Sequence, residues 1–313
     1  MKDSEPDSKF DQFYEAFPPS ARKSLQTMQK NGGMLSAEHC LAVTVSLKIS
    51  AEVLMQRLLP MAKLYSATTI SGFQVGAVAK ARMSDNAGGI ALFLGANIEF
   101  PAQALTQTIH AEQSAIINAW LQGATQIDGI AVTVAPCGCC RQFLYELEGS
   151  QSLKVILPNQ IGGKTMQHNL SDLLPAAFGP HELGSATGLM ASAAQPADLS
   201  LKLSSNDPFV LEAMAAAKQS YAPYSQNFAG CAITTGDDKM YAGRYAENAA
   251  FNPSLSALHT AIISMTMDQP GAENIISRAV LVERPTAISQ RAVCELLLRT
   301  VAPDVKLEYF EAV

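Results

Sequence analysis

Over residues 10–60 the apolar positions return at helical spacing, broken at Pro18-Pro19 and at Asn31-Gly32-Gly33, which predicts a small helical region. The pattern then changes. Residues 73–79 and 90–95 are β-rich apolar runs on either side of Asp85-Asn86-Ala87-Gly88-Gly89, the punctuation that joins two strands. Residues 109–122 recover helical spacing, and Gly123 stands where a C-cap glycine belongs. Residues 130–135 form a third strand-like run leading into Pro136, after which residues 141–148 are helical again. Strand, strand, helix, strand, helix is the order of an α/β layered fold.

Residues 185–206 are small, polar and unpatterned, which is linker composition. Beyond them the chain repeats itself. At a constant spacing (243 − 95 = 148) the pairs Gly95/Gly243, Glu99/Glu247, Gly123/Gly271, Ile127/Ile275, Ala131/Ala279, Val132/Val280 and Val134/Val282 are identical. With small shifts Phe73 lies against Phe228, Ala77 against Ala232 and Pro136 against Pro285. An internal duplication follows, and the expected division is a helical region 1–52, a first copy 53–184, a linker 185–205 and a second copy 206–313. At the same spacing His110 meets Leu258 and Glu112 meets Thr260, while Cys137 and Cys140 fall on Thr286 and Ser289 after a one-residue shift. The chemistry is therefore expected in the first copy alone.

Composition narrows the class. The 313 residues are 48% hydrophobic and only 16% charged, so much of the chain is expected to be buried, and disorder of the whole is excluded. The net charge of −6, without a basic run, speaks against a nucleic-acid surface. The longest apolar stretch, residues 87–98, is glycine-interrupted and too short to span a membrane, and residues 1–11 are acidic and unlike a targeting peptide. A cytosolic protein is expected. There, three cysteines within four residues point to a metal or catalytic site before a disulfide framework.

His110-Ala111-Glu112 opens one predicted helix and Pro136-Cys137-Gly138-Cys139-Cys140 opens another. Cys137 and Cys140, three apart, share one face of a turn. One imidazole and two thiolates suit zinc, and three protein ligands with an open fourth position mark a catalytic zinc. Both helix N-termini and Arg141 are expected to stabilise the thiolates. Glu112, two residues from His110, is poorly placed as a ligand but well placed as a general acid/base. A structural zinc or a redox dithiol also explains Cys-x-x-Cys alone; neither explains His110 and Glu112, nor their joint loss from the second copy. Cys40, Cys139, Cys231 and Cys294 read as small packed thiols, and His39, His168, His181 and His259 as surface or packed residues.

The His-x-Glu and Pro-Cys-x-x-Cys pair is joined by Gly95-Ala96-Asn97-Ile98-Glu99-Phe100, Thr108-Ile109-His110-Ala111-Glu112-Gln113-Ser114-Ala115-Ile116, Leu174-Pro175-Ala176-Ala177-Phe178-Gly179-Pro180 and Tyr245-Ala246-Glu247-Asn248-Ala249-Ala250-Phe251-Asn252-Pro253. Over nearly its whole length the chain resembles the cytidine deaminase family, specifically the long, duplicated, homodimeric form found in enteric bacteria. The resemblance implies a duplicated three-layer α/β/α fold and a cytoplasmic, homodimeric zinc enzyme of pyrimidine salvage. It would convert cytidine and 2′-deoxycytidine to uridine and 2′-deoxyuridine with release of ammonia. Carried over residue by residue, it implies one zinc ion held by His110, Cys137 and Cys140, with Glu112 shuttling protons. Asn97 and Glu99 would bind the ribose hydroxyl, Phe73 and Ala111 would contact the pyrimidine, and Phe178 would reach the partner subunit's site. The second copy has Tyr245 opposite Asn97, so its pocket is expected to be poor for substrate and to serve as scaffold and interface. Cys139 departs from the histidine the family carries there. A polynucleotide-editing deaminase is disfavoured by Glu99, whose carboxylate would repel a polymer's phosphate, and Asn97-x-Glu99 likewise disfavours guanine or blasticidin-type deaminases. A non-enzymatic zinc-stabilised module is the rival from another class.

Overall fold

The computed structural model describes residues 8–83, 89–158, 166–191, 196–271 and 276–313, so the turn expected at 85–88 and Ile275 lie outside the described residues. The helical opening is α1 (Ser8–Glu15), α2 (Pro19–Lys30) and α3 (Ala37–Leu47), and α4 (Ala51–Lys63) follows. Pro19 sits in the first turn of α2, where a missing N–H leaves no helical bond unmade. Gly32 and Gly33, at φ +55° and +75°, turn the chain back on itself. The short strand β1 (Met34–Leu35) results, pairing with residues 92–93, an element that helical spacing did not announce. Ser36 and Ser50 cap α3 and α4 by accepting the N–H groups of His39 and Val53.

The first copy continues with β2 (Gly76–Met83), β3 (Ile90–Ala96), α5 (Ala111–Leu121), β4 (Ala124–Val132), α6 (Gly138–Tyr145), β5 (Lys154–Leu157), β6 (Met166–Asn169) and α7 (Leu170–Leu173). Its sheet runs β1-β3-β2-β4-β5-β6, and only β4 and β5 are parallel. The second copy is α8 (Pro208–Lys218), β7 (Ala229–Thr235), β8 (Met240–Arg244), α9 (Ala257–Asp268), β9 (Ile276–Glu283), α10 (Arg291–Val301) and β10 (Leu307–Glu311), with strand order β10-β9-β7-β8.

Glycines show how the layers stack. Ala77 pairs with Gly95 across β2 and β3, so Gly76 points to the other face of the sheet. A Cβ on Gly76 would lie 2.8 Å from backbone atoms of α4, whereas one on Gly95 would lie 2.1 Å from the Ala115 nitrogen of α5. The sheet is thus sandwiched between α4 and α5. Gly230 meets α8 and Gly243 meets α9 in the same way. Each copy is an α/β/α sandwich, α5 packs on α9, and one apolar core runs through both.

The registers correct the pairing expected from identities. Gly76 and Gly230 hold equivalent places, so Ala77 matches Cys231 rather than Ala232, and Phe73 matches Asn227 rather than Phe228. Even the β-bulge at Lys80/Ala81 recurs at Thr234/Thr235. In the helices, Gly95 touches Ala111 and Ala115 while Gly243 touches Ala257 and Ala261, so His110 corresponds to Ser256 and Glu112 to Leu258. A constant spacing misses these shifts because the loops between strand and helix differ in length. The conclusion that the second copy lacks the donors is unchanged.

Two further expectations change. Residues 73–75 are loop, not strand, because the Asn97 side chain takes the bonds a ladder would make: Oδ1 accepts from Val75 N–H at 2.9 Å and Nδ2 donates to Phe73 O at 2.9 Å. Of the segment read as linker, Leu189 bonds both ways with the backbone of residues 146–148 and Leu199 is buried against the second copy. Small polar composition agrees with the lack of helix and strand among the described residues of this segment, and docking came from Leu189 and Leu199.

Candidate metal centre and active site

Gly95 lets β3 approach the first turn of α5 at a distance no side chain allows. Past the strand, Ile98 and Ile109 exchange backbone bonds at 2.9 Å, which delivers His110 to the N-cap of α5. Gln113 completes that cap by accepting His110 N–H at 3.0 Å, and its Nε2 donates to Pro253 O of the second copy at 3.1 Å. β4 carries the chain to Cys137, the N-cap of α6, whose Sγ accepts from Cys140 N–H at 3.5 Å. Two helix N-termini converge here.

Cys137 Sγ lies 3.6 Å from His110 Nδ1 and 3.6 Å from Cys140 Sγ, and all three donor atoms are within 4.8 Å of one another. A tetrahedral zinc with bonds of ~2.0–2.3 Å requires donor separations of roughly 3.6–3.8 Å. The donor set fits zinc in chemistry, and both separations from Cys137 match that spacing. Cys140 is buried, His110 half-buried and Cys137 exposed, so one side of the cluster faces out. That is the asymmetry of a site with an open position rather than a closed structural one.

The three donors hold their protons unevenly. Hydrogen bonds from Cys140 and His110 pull the Cys137 thiol down to about 3, and the same contact with Cys137 together with burial pushes Cys140 far up. Metal binding must therefore expel the Cys140 proton. Glu112 is 3% exposed and lies against the Cys140 thiol and His110; burial raises its carboxyl above the usual range. A carboxyl raised in this way holds a proton more readily than a solvated one, which suits a general acid/base. Arg141 does not face the thiolates as expected: its guanidinium donates to Pro136 O at 2.9 Å and Leu173 O at 2.8 Å, fixing the turn before α6.

The other expected residues form a second group. Asn97 pins residues 73–75 as described above. Glu99 Oε2 accepts from Ile70 N–H at 2.7 Å and Ser71 N–H at 3.0 Å, and Oε1 accepts from Ser71 Oγ at 2.5 Å. Phe73 is 58% exposed. Ala111 is buried at the first position of α5. Phe178 is 45% exposed, with its carbonyl held by Gln142 of α6 at 2.7 Å. A cavity of about 660 Å³ opens between the copies, lined by His110, Gln113 and Cys139 on one side and Tyr245, Ser256 and His259 on the other.

The sequence reading passed over three residues. Gln113 stands three after an N-cap, the spacing of a capping box, and was legible. Ser71 had no such signal. Nor had Glu146, fully buried at the end of α6, which accepts from Tyr221 and Tyr224 hydroxyls and Ala249 N–H of the second copy.

Residues 48–155 and residues 170–295 each match a family model described as the cytidine and deoxycytidylate deaminase zinc-binding region. The chain is 39% identical over 277 residues to a cytidine deaminase of Aliivibrio fischeri, covering 88% of both chains. It is 41% identical over 279 residues to one of Photorhabdus laumondii, covering 88% of this chain and 89% of that one. A crystal structure of cytidine deaminase from Burkholderia pseudomallei aligns along all of its length with 42% of this chain at 30% identity, with a TM-score of 0.35. With two matched zinc-binding regions and relatives this similar over most of their length, the chain belongs to the cytidine and deoxycytidylate deaminase family.

Proposed function

We propose that the protein hydrolyses cytidine and 2′-deoxycytidine to uridine and 2′-deoxyuridine with release of ammonia. The observation that carries this reading is a buried Glu112 beside a three-donor His110, Cys137 and Cys140 cluster open on one side. Zinc bound to those donors supplies Lewis acidity, which makes water a nucleophile near neutral pH. Glu112 takes the proton released by the attacking water and delivers it to ring N3. Once water has added at C4, Glu112 takes the proton of the new C4 hydroxyl and gives it to the departing amino group, so that the C4 carbonyl forms and ammonia leaves. Asn97 and Glu99 hold the ribose, Phe73 and Ala111 border the pyrimidine, and the negative net charge agrees with a small nucleoside rather than a polynucleotide.

We assign residues 53–184 to the catalytic copy and residues 206–313 to a scaffolding copy, since Glu146 and Gln113 both bond across to it. Exposed Phe73, Leu105, Phe178 and Phe251 support a homodimer whose subunits cover one another's sites. Six free cysteines support a reducing, cytoplasmic location. Among the described residues no helix is long and apolar enough to cross a membrane. The test is the absorbance change from cytidine to uridine, with and without a zinc chelator, on protein whose oligomeric state is measured by size exclusion. Turnover that chelation abolishes and zinc restores is expected; zinc-replete protein that releases no ammonia from cytidine would overturn the proposal.

A further inference from the structure

The loop between α4 and β2 is tied to Glu99 by more than one bond. Its backbone N–H groups at Ile70 and Ser71 converge on Oε2, while the Ser71 hydroxyl donates to Oε1 and itself accepts Phe73 N–H at 2.9 Å. A single hydroxyl therefore sits between the carboxylate and the backbone of Phe73. Gly72, at φ +65°, makes the turn that brings Phe73 N–H back to that oxygen.

The second copy repeats most of this arrangement without any of the metal donors. Glu247 Oε2 accepts from Tyr224 N–H at 2.8 Å and Ser225 N–H at 3.1 Å, and Ser225 Oγ accepts Asn227 N–H at 3.2 Å. What differs is the donor to the other carboxylate oxygen. There it is the Tyr245 phenol, at 3.3 Å, which comes from the position that Asn97 holds in the first copy. The backbone clamp is thus a property of the fold, whereas the serine-to-carboxylate bond belongs to the first copy. A carboxylate offers about four acceptor sites. In Glu99 three are taken by the loop, and Ser71 decides which one remains.

We infer that Ser71 is a positioning residue for nucleoside recognition, its hydroxyl aligning the last free lone pair of Glu99 and the backbone of Phe73 with each other. The inference rests on the proposed role of Glu99 at the ribose. Ser71 itself touches no reacting atom, so its loss acts on binding of the sugar more than on the chemical step.

The test compares the wild type, Ser71→Ala and Ser71→Thr, each zinc-loaded, on cytidine and on 2′,3′-dideoxycytidine, which lacks the hydroxyls Glu99 would bind. Removing one hydrogen bond to a charged group lowers affinity by about tenfold. Ser71→Ala is expected to raise KM for cytidine by about that factor, to change kcat by less than about twofold, and to raise KM for the dideoxynucleoside, which keeps only the contact of its base with Phe73, by a clearly smaller factor. Ser71→Thr, which keeps the hydroxyl, is expected to restore KM. An equal effect of Ser71→Ala on both substrates, no effect on either, or a fall in kcat with loss of zinc would overturn the inference while leaving the functional reading intact. A wild type inert to cytidine would overturn both.

Discussion

Acidification should weaken the join between the two copies through one histidine. His259, the third residue of α9, is buried where the copies meet: Nε2 donates to Gln107 O of the first copy at 3.1 Å, and Nδ1 accepts from Ser256 N–H at 3.3 Å. Its ring meets Phe100 edge-on at 5.8 Å. Burial pushes its pKa down to about 4, against the weaker opposing effect of the Gln107 carbonyl. In the unfolded chain the ring titrates near 6.5. Because the folded value is the lower one, the unfolded state binds the proton more readily; stability is whole above pH 6.5, falls as pH drops toward 4, and is flat below. At pH 5 the loss is about 2 kcal/mol, and at pH 4 and below about 3 kcal/mol. The control is His259→Gln, since glutamine fills the corresponding place in the first copy as Gln113 and caps α5 there. Denaturant midpoints from pH 7.5 to 4.5 should fall more steeply in the wild type than in His259→Gln, by about 2 kcal/mol at pH 5 after subtracting the difference at pH 7.5. Other titrating groups, metal loss included, cancel in that comparison. Parallel curves would refute the reasoning.

Other outcomes follow from the same geometry. Glu112→Gln should keep one zinc per chain by atomic absorption, since Glu112 is not among the three clustered donors, yet lose about 10³-fold or more in kcat. Cys140→Ala leaves two donors and should lose both zinc and turnover, with the chain still folded by circular dichroism. Gly95→Ala should cost more than about 3 kcal/mol, read as a large fall in denaturant midpoint or as insoluble protein, because its Cβ would collide with backbone and not with a movable side chain. Gly138→Ala, with open space around its Cβ position, is the matched control.

Donor identity was written in local pattern. Cys-x-x-Cys at a helix start needs only the 3.6-residue period to place Cys137 and Cys140 on one turn, whereas the strands and loops that bring the starts of α5 and α6 together place His110 beside them. Duplication was equally legible, since identities accumulate along a chain whatever its loops do. Its register was not: each insertion shifts the match, and only ladder pairing and the glycine contacts reveal that His110 corresponds to Ser256. Arg141 was misjudged because adjacency says nothing of where a long side chain finds its acceptors.

By itself the sequence determined the layered α/β class, the two copies, the three metal donors and their confinement to the first copy. These depend on residue type at short spacing. Tertiary structure decided what distant segments do to each other: that Glu99 is tied to residues 70–71, that Asn97 draws residues 73–75 out of a strand, and that Glu146, Gln113 and His259 join the copies. Such bonds satisfy polar groups left over where elements meet. Their partners are set by packing, which no local period encodes.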